Sequence, residues 1–240
     1  KDKDTSYDES KASTVKLSGS SASVSGDGVA VSGSTVTISK AGTYVISGES
    51  DGVQIKVEAD DSDDVHIVLK GVTMTNTNAP ISATKAGHVY LTLADGTTNT
   101  LSDSSSNNDE DADAVIFSKG DLTINGSGTL NIDAKKNNAI KANDTLHITG
   151  GTYKITAVGD AFNVNDELNI TGTTMTIDAD EDAVKVDNDE DTSVGTMYLS
   201  DNKMTITAGD DGIHASGDLI IDSGTYKVTE SVEGLEGKSI

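Results

Sequence analysis

From residue 113 onward the chain alternates apolar and polar positions in short runs, and the runs recur. Each copy opens on an acid or Asn, a small residue and an apolar-x-apolar triplet; a polar turn then leads to Leu-x-Ile, and a Gly turn to Thr-apolar-x-Ile. One copy reads Asn138-Ala139-Ile140, Leu146-His147-Ile148, then Gly150-Gly151-Thr152-Tyr153-Lys154-Ile155. The next reads Asp160-Ala161-Phe162, Leu168-Asn169-Ile170 and Met175-Thr176-Ile177, and an earlier one starts at Asp113-Ala114-Val115. Later copies start at Asp182-Ala183-Val184 and Asp211-Gly212-Ile213, and Glu233-Gly234-Leu235 opens another. The starting points are spaced 25, 22, 22, 29 and 22 residues apart, the 29 being a 22 with seven residues inserted between Val186 and Met197.

Period-two alternation broken by Gly, Asn and Asp predicts strands and turns, and no copy carries a helical stripe. A propeller blade needs about 40 residues, and leucine-rich repeats keep a different consensus. Three short strands in about 22 residues therefore predict an all-β solenoid, a single-stranded parallel β-helix. Stacked coils place equivalent residues about 4.8 Å apart, so inward positions form ladders. Leu122, Leu146, Leu168, Met197 and Leu219 are one ladder; Ile132, Ile155, Ile177, Ile206 and Val228 are another. Tyr153 and Tyr226 align with Leu130, Met175 and Met204, which assigns them to the core rather than to a sugar-stacking platform.

The expected organisation is one domain over residues 1–240. Residues 1–12 are a charged, flexible lead-in, residues 13–64 an N-terminal β cap or first coils, and residues 65–240 the coils. Ser102 to Asp111 is an acidic bulge between coils. The repeat opened at Glu233 is incomplete at Ile240, and a β-helix ending there offers an unpaired edge for end-to-end self-association.

Composition narrows the function. The 17 basic residues are all lysine, against 40 acidic ones, for a net charge of -23. Such a chain repels phosphates and has no arginine fork, which excludes nucleic acid as a partner. No apolar stretch approaches the roughly 18 to 20 residues of a membrane span. Cysteine is absent, and with it disulfides, thiolate metal sites and cysteine catalysis. Leu, Ile, Val and Phe total 52 residues, near the limit for disorder at this charge. Their ordered spacing decides for a folded chain.

Two acidic constellations stand out. The repeat starts Asp113, Asn138, Asp160, Asp182, Asp211 and Glu233 fall on neighbouring coils, with Asp180, Glu181 and Asp210 beside them. Two carboxylates about 4.8 Å apart repel by roughly 3.5 kcal/mol at an effective dielectric near 20. Either these residues cap solvated turns, with Lys141 and Lys185 relieving the repulsion, or hard cations such as Ca²⁺ bridge the rungs. The second constellation is the insertion Asp187-Asn188-Asp189-Glu190-Asp191, which lacks the glycine of an EF-hand loop. Candidate calcium ligands are Asp160, Asp182, Asp210 and Asp211 on one edge, and Asp187, Asn188 and Asp189 at the insertion. A strand spanning about 16 Å separates Asp182 from Asp187, so these are two sites.

Catalytic candidates are poor. His66, His88, His147 and His214 are scattered, and three of them take outward strand positions where exposed surface residues are expected. Carboxylate pairs are too abundant to single out the two of a glycosidase. A lyase acting on acidic sugars would want a strong base, and only lysine is available.

The run from Asp113 to Leu130 (DAVIFSKGDLTINGSGTL) resembles secreted bacterial proteins of the carbohydrate-binding domain-containing family. So do Leu93 to Leu101 (LADGTTNTL) and the insertion from Lys185 to Asp191, and the likeness spans about residues 7 to 240. The resemblance implies a right-handed parallel β-helix, secreted or held at the cell surface. It implies binding of calcium and of polysaccharides such as cellulose or polygalacturonate without catalysis, and assigns no sugar-contacting residue. Two rivals remain open: a structural or adhesive solenoid that stacks into filaments, and a lyase or hydrolase.

Overall fold

The computed structural model describes residues 2–188, 190–191 and 193–240 and is all-β, with no helix among the described residues. Its strands form one large, mostly parallel, open sheet. Two hairpins at the N-terminal end are antiparallel, Ser13–Gly19 with Ser21–Ser25 and Val29–Ser32 with Thr35–Ile38. The next connections are parallel: Gly42–Asp51 lies between Ser13–Gly19 and Asp64–Thr75.

From Ala114 to Ala208 each repeat supplies three strands, and each pairs with its equivalent in the neighbouring repeats; in the repeat opened at Asp211 the first two runs are one continuous strand, Ile213–Ile221. Asn138–Ala142, Thr145–Thr149 and Thr152–Ala157 pair with Phe162–Val164, Glu167–Thr171 and Thr174–Ala179. Those pair in turn with Val184–Val186, Thr196–Ser200 and Asn202–Ala208. The ladders hold their register: Leu122 opposes Leu146, Leu146 opposes Leu168, Leu168 opposes Met197, and Met197 opposes Leu219. Val184–Val186 and Thr196–Ser200, on either side of the insertion, both keep their pairing.

The alternation explains the layering. Inward residues of every repeat merge into one apolar cluster running from Val15 to Leu219. Each buried aliphatic side chain contributes about 1.5–3 kcal/mol on leaving water. Tyr153 is fully buried between Leu130 and Met175, and Tyr226 opposes Met204 and is half-buried, as their alignment predicted. The bulge after Ser102 is anchored by Asp103, whose carboxylate accepts bonds from the Asn107 amide at 3.0 Å and the Lys135 N–H at 2.6 Å.

The lead-in expected to be flexible lies along the outward face of this sheet. The Asp2 carbonyl accepts bonds from Asn125 Nδ2 at 3.1 Å and Thr149 Oγ1 at 2.8 Å. Tyr7 and Ala12 pack on Val45, Val68 and Ala94, and Glu9 pairs with Lys70 at 2.9 Å.

Candidate binding face and acidic edge

The acidic ladder is built from buried side chains bonded to the next repeat. Asn138 Oδ1 accepts the Asp160 N–H at 3.0 Å, Asp160 Oδ1 the Asp182 N–H at 2.9 Å, and Asp182 Oδ1 the Asp211 N–H at 2.9 Å. Asp211 Oδ1 continues the series to the Glu233 N–H at 3.2 Å. The second oxygen of each carboxylate turns to the residue three positions on. Asn163 donates to Asp160 at 2.6 Å, Lys185 pairs with Asp182 at 3.1 Å, and His214 lies 3.3 Å from Asp211. Lys141 reaches back to Asp113 at 2.6 Å.

The rungs are thus turn caps, but buried ones, and protein donors face each charge. Burial pushes the Asp160 carboxyl above its usual range, partly offset by Asn163 and Lys185. Burial opposes the charge of Lys185, yet Asp160 and Asp182 outweigh it and raise the ammonium's pKa.

Of the candidate metal ligands, Asp182, Asp210 and Asp211 come together, with oxygens within 4.8 Å of one another. Asp210 is exposed and its two neighbours are buried. Asp160 stands outside this group. At the insertion, Asp187 joins no metal-binding group among the described residues. Asn188 donates its amide to Asp166 at 2.8 Å, and its Oδ1 accepts the N–H groups of Glu190 and Asp191. Asp189 lies outside the described residues. An all-oxygen set such as Asp182, Asp210 and Asp211 has the chemistry of a hard cation site.

The second feature is the outward face of the sheet carrying the Leu-x-Ile strands. The x positions align in register: His66, Tyr90, Thr123, His147, Asn169, Tyr198 and Ile220. Beside them runs a second row: Val68, Thr92, Asn125, Thr149, Thr171 and Ser200. A groove of about 570 Å³ opens over His147, Thr149, Asn169, Thr171 and Tyr198, with Asp2 and Lys3 as one wall. A shallower hollow of about 380 Å³ adjoins it over Gly126, Gly150, Gly172 and Asp201.

His66, His147 and His214 are outward as expected, but half-buried and bonded rather than freely exposed. His147 Nδ1 lies 3.0 Å from the Asp2 carboxylate, and its Nε2 lies 2.9 Å from the Asn169 amide. His66 meets Thr92 at 2.7 Å, and His88 stacks on Tyr90 with centroids 4.2 Å apart. Burial lowers the pKa of both His66 and His88, so each is mainly neutral at pH 7.

Sequence reasoning missed this row. Its signal was present: the x of Leu-x-Ile is outward in every repeat, and reading that column alone collects Thr123, His147, Asn169 and Tyr198.

Comparison with known proteins adds three findings. A family model described as carbohydrate-binding domain-containing protein matches residues 32–238. A relative of the same description from Acetivibrio thermocellus is 36% identical over 126 residues, which are 50% of this chain and 44% of the relative. The aligned segment thus spans less than half of that relative's length. The polysaccharide lyase-like protein from C. thermocellum, solved as a gadolinium derivative, superposes with a TM-score of 0.91 at 30% identity over 95% of both chains.

Proposed function

The chain belongs to the carbohydrate-binding domain-containing protein family, and we propose that it is a non-catalytic, extracellular polysaccharide-binding protein built as a right-handed parallel β-helix. The observation that carries this reading is the groove on the outward face. Tyr198 supplies a ring for a sugar face, and Asn169, His147, Thr149 and Thr171 supply hydrogen-bonding groups beside it. Aromatic bodies with polar tips and convergent polar groups are what a hydroxyl-rich ligand needs. Rows repeating about every 4.8 Å suit a polymer laid across the strands.

The ligand we favour is cellulose or an acidic plant polymer such as polygalacturonate. For the acidic polymer, a protein at -23 needs a cation between the two polyanions, and calcium is the ion we propose. Asp182, Asp210 and Asp211 would hold it at the acidic edge, one strand away from the groove, and it would supply positive charge that offsets the protein's own carboxylates there. The lining of the groove favours binding over turnover: its basic side chains are Lys3 and His147, and the chain has no arginine to serve as a strong base.

The test is retention on cellulose and on polygalacturonate, with calcium and with chelator, for the native chain and for Tyr198→Ala. Loss of one ring at the centre of a contact is expected to weaken binding about tenfold or more. Retention on pectate is expected to disappear with chelator, and no unsaturated product should absorb in the ultraviolet. Undiminished binding by Tyr198→Ala would move the site elsewhere, and steady product release would make the protein an enzyme.

A further inference from the structure

The groove over Tyr198 stops where the N-terminal segment begins, yet the two outward rows continue beneath that segment. Thr92, Thr123 and Asn125 alternate with the inward residues Leu91, Leu93, Leu122 and Ile124, so they point out of the sheet. Polar residues on an outward face are normally wet. Here Thr92 is 1% exposed, and Thr123 and Asn125 are 0% exposed.

His88 lies on Thr123 at 2.9 Å, and what lies on Asn125 is the polar N-terminal segment. Asn125 Nδ2 donates to the carbonyls of Asp2 at 3.1 Å and Asp4 at 3.2 Å, and Thr149 Oγ1 donates to Asp2 at 2.8 Å. The Asp2 carboxylate sits on His147, and Tyr7 meets the ring of His66 edge-on with centroids 6.3 Å apart. Behind Asn125 a chain of bonds runs through Thr92 at 2.6 Å to His66 at 2.7 Å. The segment therefore occupies donors of the open groove itself (His147 and Thr149) together with the covered row.

We propose that residues 2–7 are a removable strap lying in the sugar-binding groove, and that a polysaccharide displaces it to reach a second, covered half of the site. This rests on the reading of the groove as the sugar site. The covered half comprises Asn125 and Thr92, flanked by the half-buried Tyr90 and His66, and its ligand is a chain of hydroxyl-bearing sugars. The strap's carbonyls accept bonds from Asn125 and Thr149 as sugar hydroxyls would. Among the described residues it is held by three bonds to carbonyls, one carboxylate–imidazole contact and Tyr7, which meets His66 and packs on Val45, Val68 and Ala94. A binding-competent state that is a minor fraction of the population lowers apparent affinity by that fraction. Releasing the strap should therefore tighten binding, and fixing it should weaken binding.

Because the chain has no cysteine, the strap can be fixed in a defined way. The double substitution Asp2→Cys with Thr149→Cys joins it to the groove when oxidised and frees it when reduced, in one and the same protein. The complementary variant, Asp2→Ala with Tyr7→Ala, removes two side-chain anchors and leaves the sheet untouched. Affinity is measured by calorimetry with cellohexaose and with oligogalacturonate plus calcium, beside Tyr198→Ala. The expected result is a tightening of about tenfold for the released variant and a loss of at least tenfold for the oxidised form, reversed on reduction. Binding that is insensitive to both, while Tyr198→Ala still abolishes it, would overturn the strap and leave the groove as the sugar site. Insensitivity of all three variants would overturn the strap and the groove reading together.

Discussion

Asp160 offers a direct test of how the buried acidic ladder is held. It is 3% exposed, accepts the Asp182 N–H at 2.9 Å through Oδ1, and accepts the Asn163 amide at 2.6 Å through Oδ2. One repeat earlier Asn138 performs the first task with a neutral amide, accepting the Asp160 N–H at 3.0 Å. Asp160→Asn therefore keeps the acceptor for Asp182 and removes a charge that burial disfavours. Asp160→Ala removes the acceptor and leaves a buried N–H without a partner, a loss of about 1–3 kcal/mol. The alanine variant should be less stable than the asparagine variant by that amount, with roughly 2–4 °C of melting temperature for each kcal/mol.

The pH dependence follows from the direction of the shift. Burial raises the folded-state pKa of Asp160 above the ordinary 3.8. Below that ordinary value both folded and unfolded chains are protonated at this site and nothing is lost. As pH climbs through the raised folded value, the folded state must bury a charge and stability falls. Asp160→Asn should thus equal or exceed the native chain at pH 7 and lose that advantage below about pH 3.8. Urea denaturation at pH 7 and pH 3.5, with hydrogen exchange at the Asp182 amide, measures both effects. Equal stability of the alanine and asparagine variants at pH 7, with unchanged exchange at Asp182, would refute the ladder as described.

Two further outcomes follow from the packing. Leu168→Ala, with Leu146 and Met197 on either side of it, opens a cavity in the continuous core and should cost about 3–5 kcal/mol in denaturation; a loss below about 1 kcal/mol would mean the stack collapses freely. Gly126 has φ of 104°, and a Cβ there would strike the Leu93 carbonyl oxygen, so Gly126→Ala should destabilise by more than about 1 kcal/mol, whereas Gly172→Ala, which meets open space, should be milder by the same assay.

The fold was legible to the extent that it is periodic. Leu146, Leu168 and Met197 were placed in one ladder because a parallel register turns equal spacing along the chain into contact in space. The insertion after Val186 could be recognised because the pattern resumes after it. The carboxylates at the repeat starts were also visible, and so were Lys141 and Lys185 as their neighbours. Their burial was not. Whether an aspartate at a turn faces water or the next repeat's N–H depends on the path of the turn, which no local pattern specifies.

The amino-acid sequence alone determined the repeat and the identity of the inward residues, since both follow from spacing. Only the tertiary structure decided what the outward face does. His66, Tyr90, His147 and Tyr198 are far apart in the chain and become one row only when strands pair in register. It likewise seated Asp2 on His147, 145 positions away. A short, polar, aperiodic segment carries no signal of its own, because its place is set by donors that the folded sheet assembles.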